Sequence, residues 1–430
     1  MDYLRGVLGL AALVGLAYLL STNRRAINWK LVGAGIGIQL AAGLLILKVP
    51  FVAGVFDEVS EGFVTFLGFS QEGARFIFGD LVNTSSFGFI FAFQVLPTII
   101  FFSTVSAGLY YLGVLQKVVY GIAWVMTRSM RLSGAESLSA AGNIFLGQTE
   151  APLLVRPYIE GMTRSEIMCL MTGGMATIAG GVLGGYVAFL GGDDPVQQTR
   201  FAAYLLSASI MNAPAAIVIS KMLVPETHPE QIKADLRVSD EQLGVNVIDA
   251  LSRGAGEGLK LALNVGGMLL AFIAVIAAIN YFLTNGVGEV GGLNQWVVAS
   301  TDGAFAGFSL EYILGQLFRV FAFIMGVDWA ETLQVGSLLG QKTVINEFVA
   351  YLSLSEMKNE GALGGKALVV ATYALCGFAN FSSIAIQIGG IGSIAPGQQE
   401  NLSRLGLWAL VAATFACMMT ATIAGMLVNY

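Results

Sequence analysis

Charge is scarce in this sequence. Only 12% of its 430 residues are Asp, Glu, Lys or Arg, about half the share a soluble globular surface carries. With 56% hydrophobic residues and a mean hydropathy of +0.74, a water-soluble protein is excluded. Basic runs are missing too, and the net charge of −6 is spread over short polar stretches, so nucleic acid is not an expected partner. Histidine occurs once, at His228, between the turn-forming Pro225 and Pro229, where a solvated loop residue is a simpler reading than a proton relay. The three cysteines, Cys169, Cys376 and Cys417, sit inside apolar segments without metal-ligand spacing. They read as small packing residues, not disulfides or metal ligands. No polar–apolar alternation over ~10-residue strands suggests an outer-membrane barrel.

What the sequence has is apolar runs of about 18 residues or more, each long enough to cross the ~30 Å hydrocarbon layer as a helix. The expected class is an all-α polytopic membrane protein. Residues 3–20 form a first span; a signal peptide is the rival, but Arg24, Arg25 and Lys30 follow the run instead of preceding it. The second span, 31–48, contains Gly33-x-Gly35-x-Gly37, which without a preceding strand indicates helix packing and not a dinucleotide site. Residues 50–87 mix carboxylates with Phe and Val as an interfacial segment would. A third span at about 88–109 and a second interfacial helix at 110–131 follow. The stretch Val224–Gly258 reads as the one sizeable soluble loop.

The chain then echoes itself. Ala123-Trp124-Val125-Met126 and Ala135-Glu136-Ser137-Leu138 return as Ala322-Phe323-Ile324-Met325 and Ala330-Glu331-Thr332-Leu333. Glu150 precedes Gly191-Gly192 by 41 residues and Glu347 precedes Gly389-Gly390 by 42. Each copy is read as a span, an interfacial helix, a re-entrant hairpin and two more spans. Three crossings per copy make the repeat inverted, which is a secondary-transporter architecture. Eight transmembrane helices plus two re-entrant helical hairpins result. The expected parts are a scaffold over 1–132, a transport unit over 133–223, a cytoplasmic loop, span and interfacial helix over 224–328, and a second transport unit over 329–430. Both termini are expected to be periplasmic in a bacterial-type inner membrane. That topology places 14 of the 22 Lys and Arg inside (3 in 21–30, 3 in 110–131, 2 in 156–164, 5 in 221–260, 1 in 391–404), as the positive-inside rule asks.

Three polar stretches interrupt the apolar runs: Gly147-Gln148-Thr149-Glu150-Ala151-Pro152, Gly340 to Tyr351 (GQKTVINEFVAY), and Gly377 to Ser383 (GFANFSS). An ionisable group at membrane depth costs roughly 2.5–3.5 kcal/mol on insertion scales, which makes Glu150 and Glu347 functional-site candidates. Residues 173–185 are too rich in glycine for a strong uninterrupted helix. Unwound backbone at that depth is tolerated only around a protein-lined or watery cavity. The expectation is that Glu150 and Glu347 face each other across one polar pocket. The bland readings are that each carboxylate caps its own hairpin turn, and that Asn380 and Ser383 hydrogen-bond between helices. Carboxylates, amides and hydroxyls without an arginine suit a neutral, hydroxyl-rich ligand better than an anion.

These three stretches resemble the signature motifs of the concentrative nucleoside transporter family, in the family's order, with the similarity running through most of the chain after about residue 88. The resemblance implies that Glu347, Asn380 and Ser383 engage ribose, with Asn346 supplying a further amide at the same tip. It also implies that Gln148, Thr149 and Glu150 read the nucleobase edge, with Val182 and Phe378 in apolar contact. It further implies no cofactor, but Na⁺ as the coupling ion on the side chains of Asn143 and Thr177 and the main-chain oxygens of Leu146 and Ile178. A homotrimer and an elevator motion in the bilayer are implied as well, with uridine or other pyrimidine nucleosides as cargo. The alternatives are a proton-coupled carrier of nucleosides or another neutral polyhydroxy solute, a channel, and an intramembrane enzyme using the two glutamates as acid and base. No nucleophile or His/Cys cluster supports the last.

Overall fold

The computed structural model describes residues 2–232 and 244–428. Among these every regular element is a helix. Those of nine residues or more are, in chain order, α1 (Asp2–Leu20), α2 (Trp29–Lys48), α3 (Pro50–Phe78), α4 (Leu96–Tyr111), α5 (Val114–Met130), α6 (Gly134–Gly142), α7 (Arg164–Ala176), α8 (Gly180–Gly191) and α9 (Pro195–Leu223). Then come α10 (Val247–Phe282), α11 (Leu310–Ile324), α12 (Thr332–Val344), α13 (Glu347–Asn359), α14 (Gly365–Leu375), α15 (Phe381–Ile394) and α16 (Gln399–Leu427).

Seven helical stretches among the described residues are long and apolar enough to cross a membrane, and α14 and α15 are shorter apolar helices. Burial sorts the seven into two groups. The α7–α8 stretch, α9 and α16 have 94%, 78% and 89% of their apolar windows inside the molecule, whereas α10 has 17% and α1 28%. The first group is the core; the second presents apolar side chains outward, as a lipid-facing shell does.

Short polar side chains start these helices. Ser133 with Glu136, and Thr163 with Glu166, form capping boxes at α6 and α7. Asn346 caps α13 and Asn380 caps α15, each accepting the N–H three residues on, at 3.0 and 2.9 Å. Two polypeptide hairpins result. In the second, Gln341 Oε1 accepts from Ser353 Oγ and Gln334 Nε2 donates to the Ala362 carbonyl, pairs placed symmetrically about residues 346–348. In the first, Gly142 lies against Ala151 and Leu154, so the chain turns at 147–148.

Two further interruptions come where the glycine content and the GFANFSS stretch predict them. α7 ends at Ala176, Thr177 is extended (φ −115°, ψ 170°), and α8 opens at Gly180. α14 ends at Leu375, and Gly377 and Asn380 are non-helical before α15.

Two expectations need correction. The soluble stretch does not reach Gly258: Asn246 caps α10, which is helical from Val247. Asp249–Arg253 and Glu257–Lys260 pairs along its first turns carry the charges that made this region look like loop. The segment 50–87, expected to be interfacial and amphipathic, is mainly one 29-residue helix that buries Ser60, Leu67, Ser70 and Ala74. The two glycine pairs are not equivalent: Gly191-Gly192 closes α8, while Gly389-Gly390 lies inside α15, where Gly390 faces Thr149. The three cysteines are free and buried, and His228 is exposed.

Candidate functional site

A cavity of about 360 Å³ lies where the first hairpin turn, the α7–α8 break, the start of α13 and the α14–α15 break meet, closed on one side by α10. Gln148, Thr149, Glu150, Val182, Asn346, Glu347, Phe378, Asn380 and Ser383 all line it. The structure therefore brings together side chains more than 200 positions apart.

Glu347, at the first position of α13, is only 3% exposed. Its Oε1 accepts from Tyr186 Oη at 3.0 Å and its Oε2 from Asn380 Nδ2 at 2.9 Å. At this turn Asn346 takes the Val349 N–H, and the Glu347 carboxylate also meets its own backbone N–H, so capping is part of its role but not the whole of it. Asn380 uses three of its four hydrogen-bonding positions: Nδ2 donates one proton to Glu347, while Oδ1 accepts from Ser383 N–H and Ser382 Oγ. A carboxylate has about four lone-pair positions, so the remaining acceptor capacity of Glu347 is directed at the cavity.

Glu150 behaves differently. Its Oε2 accepts from Gly147 N–H at 3.2 Å, so here the capping reading holds. The same carboxylate also walls a second cavity of about 370 Å³, between the first hairpin, α4 and α10, together with Ser106, Tyr110, Arg253 and Glu257. Gln148 ties the hairpin turn to α15, donating to Ser383 Oγ at 3.1 Å and accepting from Gln387 Nε2 at 3.2 Å. Lys342, within the motif that drew attention to this region, points elsewhere: its buried ammonium donates to the Ala374 carbonyl in the last turn of α14.

Beside the cavity, the segment after α6 packs on the α7–α8 break. The Phe145 carbonyl accepts from Gly180 N–H at 3.2 Å, and Gly147 faces Ala179. Asn143 is 1% exposed; its Nδ2 donates to Ser139 Oγ, and its Oδ1 has no hydrogen-bond partner among the described residues. Thr177, equally buried, donates to the Gly173 carbonyl, and Gly173 itself adjoins the Asn143 amide. An orphaned buried acceptor next to unwound backbone is a donor set suited to a small hard cation.

Several participants escaped the sequence reading. Tyr186, fully buried and stacked on Tyr351 with ring centroids 4.5 Å apart, reads in sequence as one more apolar residue in a glycine-rich run. Gln387 had a signal, being a lone amide among Ile and Gly in α15. Asn264 and Met268 of α10 also line the cavity, and only the fold could place them there. Tyr186→Phe removes one of two donors to a buried carboxylate. A hydrogen bond to a charged group is worth about 1.5–3 kcal/mol, so ligand affinity is expected to fall roughly tenfold or more, measurable by equilibrium binding.

Interrupted helices around a polar cavity, inside an apolar helical body, define a membrane carrier of a polar solute. Comparison with known proteins makes this particular. Family profiles described as Na⁺ dependent nucleoside transporter N-terminus, nucleoside recognition (gate) and Na⁺ dependent nucleoside transporter C-terminus match residues 8–81, 92–193 and 204–425. The uncharacterized transporter YutK of Bacillus subtilis is 42% identical over 429 residues, covering 100% of both chains. Mouse solute carrier family 28 member 3 is 41% identical over 97% of this chain and 58% of its own length. The solved structure of CNTnw in an inward-facing substrate-bound state superposes with a TM-score of 0.89 at 41% identity over 100% of both chains. The chain belongs to the concentrative, Na⁺-dependent nucleoside transporter family, and it is a transporter and not an enzyme.

Proposed function

We propose that this protein is a sodium-coupled symporter that carries nucleosides, uridine and other pyrimidine nucleosides among them, into the cell. The observation that carries this reading is the buried Glu347 carboxylate, held by Tyr186 and Asn380 and turned to a cavity that all nine candidate residues share. Vicinal ribose hydroxyls donate to Glu347, with Ser383 and the second Nδ2 proton of Asn380 beside them, Asn380 also orienting the carboxylate. Gln148, Thr149 and Glu150 meet the base edge, and Val182 and Phe378 pack on its faces. Gln148 spans Ser383 and Gln387 with one Nε2 proton and one Oε1 lone pair, which leaves a second of each for the base.

Sodium, the co-transported ion, is held by Asn143 Oδ1, Thr177 Oγ1 and the carbonyls of Leu146 and Ile178. Support comes from the unpartnered Asn143 oxygen and the extended backbone at Thr177. The segments 133–223 and 329–430, with two re-entrant hairpins and four of the chain's eight spans, form the moving unit of an inverted repeat. The first 132 residues and 224–328 form a trimeric scaffold against which that unit rises and falls. The inner membrane, with periplasmic termini, is the expected setting. The heavy burial of α7–α9 and α16 against the exposure of α1 and α10 supports this division.

The decisive test is uptake of radiolabelled uridine into proteoliposomes under an inward Na⁺ gradient, an inward proton gradient, or neither. Accumulation with Na⁺ alone is expected; accumulation driven only by protons would replace sodium as the coupling ion. Asn143→Ala is expected to raise half-saturating Na⁺ about tenfold, read from the sodium dependence of initial rates. An unchanged value would move the ion elsewhere.

A further inference from the structure

The two helix interruptions are fastened to one another mainly by one buried amide. Asn212, midway along α9, is fully buried, and its Nδ2 donates to the carbonyls of Ala176 and Cys376, each at 2.7 Å. Ala176 is the last residue of α7 and Cys376 directly follows α14. Both carbonyls therefore lie where helical partners have run out and something else must satisfy them. An amide nitrogen has two protons, and here each serves a different broken helix. The amide oxygen has no hydrogen-bond partner among the described residues, so the side chain is held through its donor end alone. Two weaker links join the breaks as well: the Cys417 thiol, whose one proton serves one carbonyl at a time, lies 3.5 Å from the Ala176 oxygen and 3.4 Å from that of Cys376, and Phe378 N–H donates to the Thr177 carbonyl at 3.3 Å. Asn212 itself does not line the cavity.

The residues on either side of this fastening belong to different ligands. Thr177 and Ile178, in the first break, contribute to the sodium set; Phe378, Asn380 and Ser383, at and after the second, contribute to the nucleoside cavity. We propose that Asn212 is the positioning residue that couples the two sites, by fixing the separation of the Ala176 and Cys376 carbonyls. This rests on the sodium and nucleoside assignments made above. Ordering of the Thr177–Ile178 backbone around an ion constrains the Ala176 carbonyl. Through the shared amide it also constrains Cys376, and with it the start of α15, because displacement of either carbonyl alone would exchange a 2.7 Å amide hydrogen bond for the weak Cys417 thiol donor at best. Linkage requires the converse: nucleoside in the cavity tightens the ion site by the same factor.

The test uses the full-length purified protein with Asn212→Ala and Asn212→Ser. Uridine affinity is measured by isothermal titration calorimetry in sodium chloride and in choline chloride, and the ratio of the two dissociation constants gives the coupling factor. Wild type is expected to show a ratio of about tenfold or more. Asn212→Ala is expected to bring the ratio down at least about fivefold, towards unity, while the affinity in choline stays within about threefold of wild type. Serine has one hydroxyl proton and serves one carbonyl at a time, so its ratio is expected to fall between the two. An unchanged ratio in both variants would overturn the proposal. So would a collapse of the sodium-free affinity, or failure of both variants to give monodisperse protein, since either outcome makes Asn212 a residue of architecture only. A wild-type protein whose uridine binding ignores sodium would instead remove the sodium reading itself.

Discussion

Glu347→Gln is expected to lower sodium-driven nucleoside uptake by at least about a hundredfold in protein that still folds and inserts. The carboxylate is buried, accepts from Tyr186 and Asn380, and keeps further lone pairs for the cavity. Glutamine has nearly the same shape but replaces one acceptor oxygen with a donor nitrogen. That nitrogen would face either the Tyr186 hydroxyl or the Asn380 amide, and a hydrogen bond to the charged group would be lost at about 1.5–3 kcal/mol. The charge that draws ligand hydroxyls goes with it, and two such losses together give about two orders of magnitude or more. Uptake by proteoliposomes matched for protein content checks the result. Transport within tenfold of wild type would remove Glu347 from the ligand's binding set.

Lys221→Ala is expected to be the most damaging single change to stability. Lys221, 6% exposed on α9, pairs with the Glu136 carboxylate at the start of α6 and donates to Ser165 Oγ at 3.0 Å. Glu226 lies 3.9 Å from the same ammonium and accepts from Thr163 Oγ1 at 2.6 Å. This network pins the base of the first hairpin to α7 and α9. Removal of the lysine leaves Glu136 charged and unpaired in a site with 1% exposure, a situation that costs about 3–5 kcal/mol. Thermal inactivation followed by size-exclusion chromatography is expected to shift downward by several degrees. Glu136→Gln in the same background should recover part of the loss, because a neutral amide needs no counter-charge. A double variant no more stable than Lys221→Ala alone would show that the pair's charge is not what matters.

The cavity was legible because ionisable and amide side chains are costly among apolar residues and so stand out against them. Glu150, Glu347, Asn380 and Ser383 could each be picked out on that ground, and the structure places them around one space. Tyr186 could not be, since an aromatic residue in an apolar run carries no mark of its hydroxyl's partner. Asn212 and Lys221 lie within α9, whose neighbours are settled only by tertiary packing. The helical start of α10 was obscured by its charges, which pair along the helix surface instead of marking a loop. The breaks were foreseeable as regions from glycine content, but their placement at Thr177–Ala179 and Cys376–Asn380 depends on which carbonyls find outside donors.

The contact between α4 and α10 has a mechanical consequence. A Cβ on Gly254 would approach Ser103 O at 2.7 Å and Thr104 Cα at 2.9 Å, and one on Gly258 would meet Ile100 Cα at 2.8 Å. The two main chains therefore touch directly through notches that only glycine provides. A slip of one helical turn, about 5.4 Å, would set one glycine at the other's contact and bring the Cβ of Ala250 or Ala262, buried on the same face, against backbone where there is no room for it. These helices accordingly behave as one rigid beam, and any stroke the molecule makes has to run along its outside.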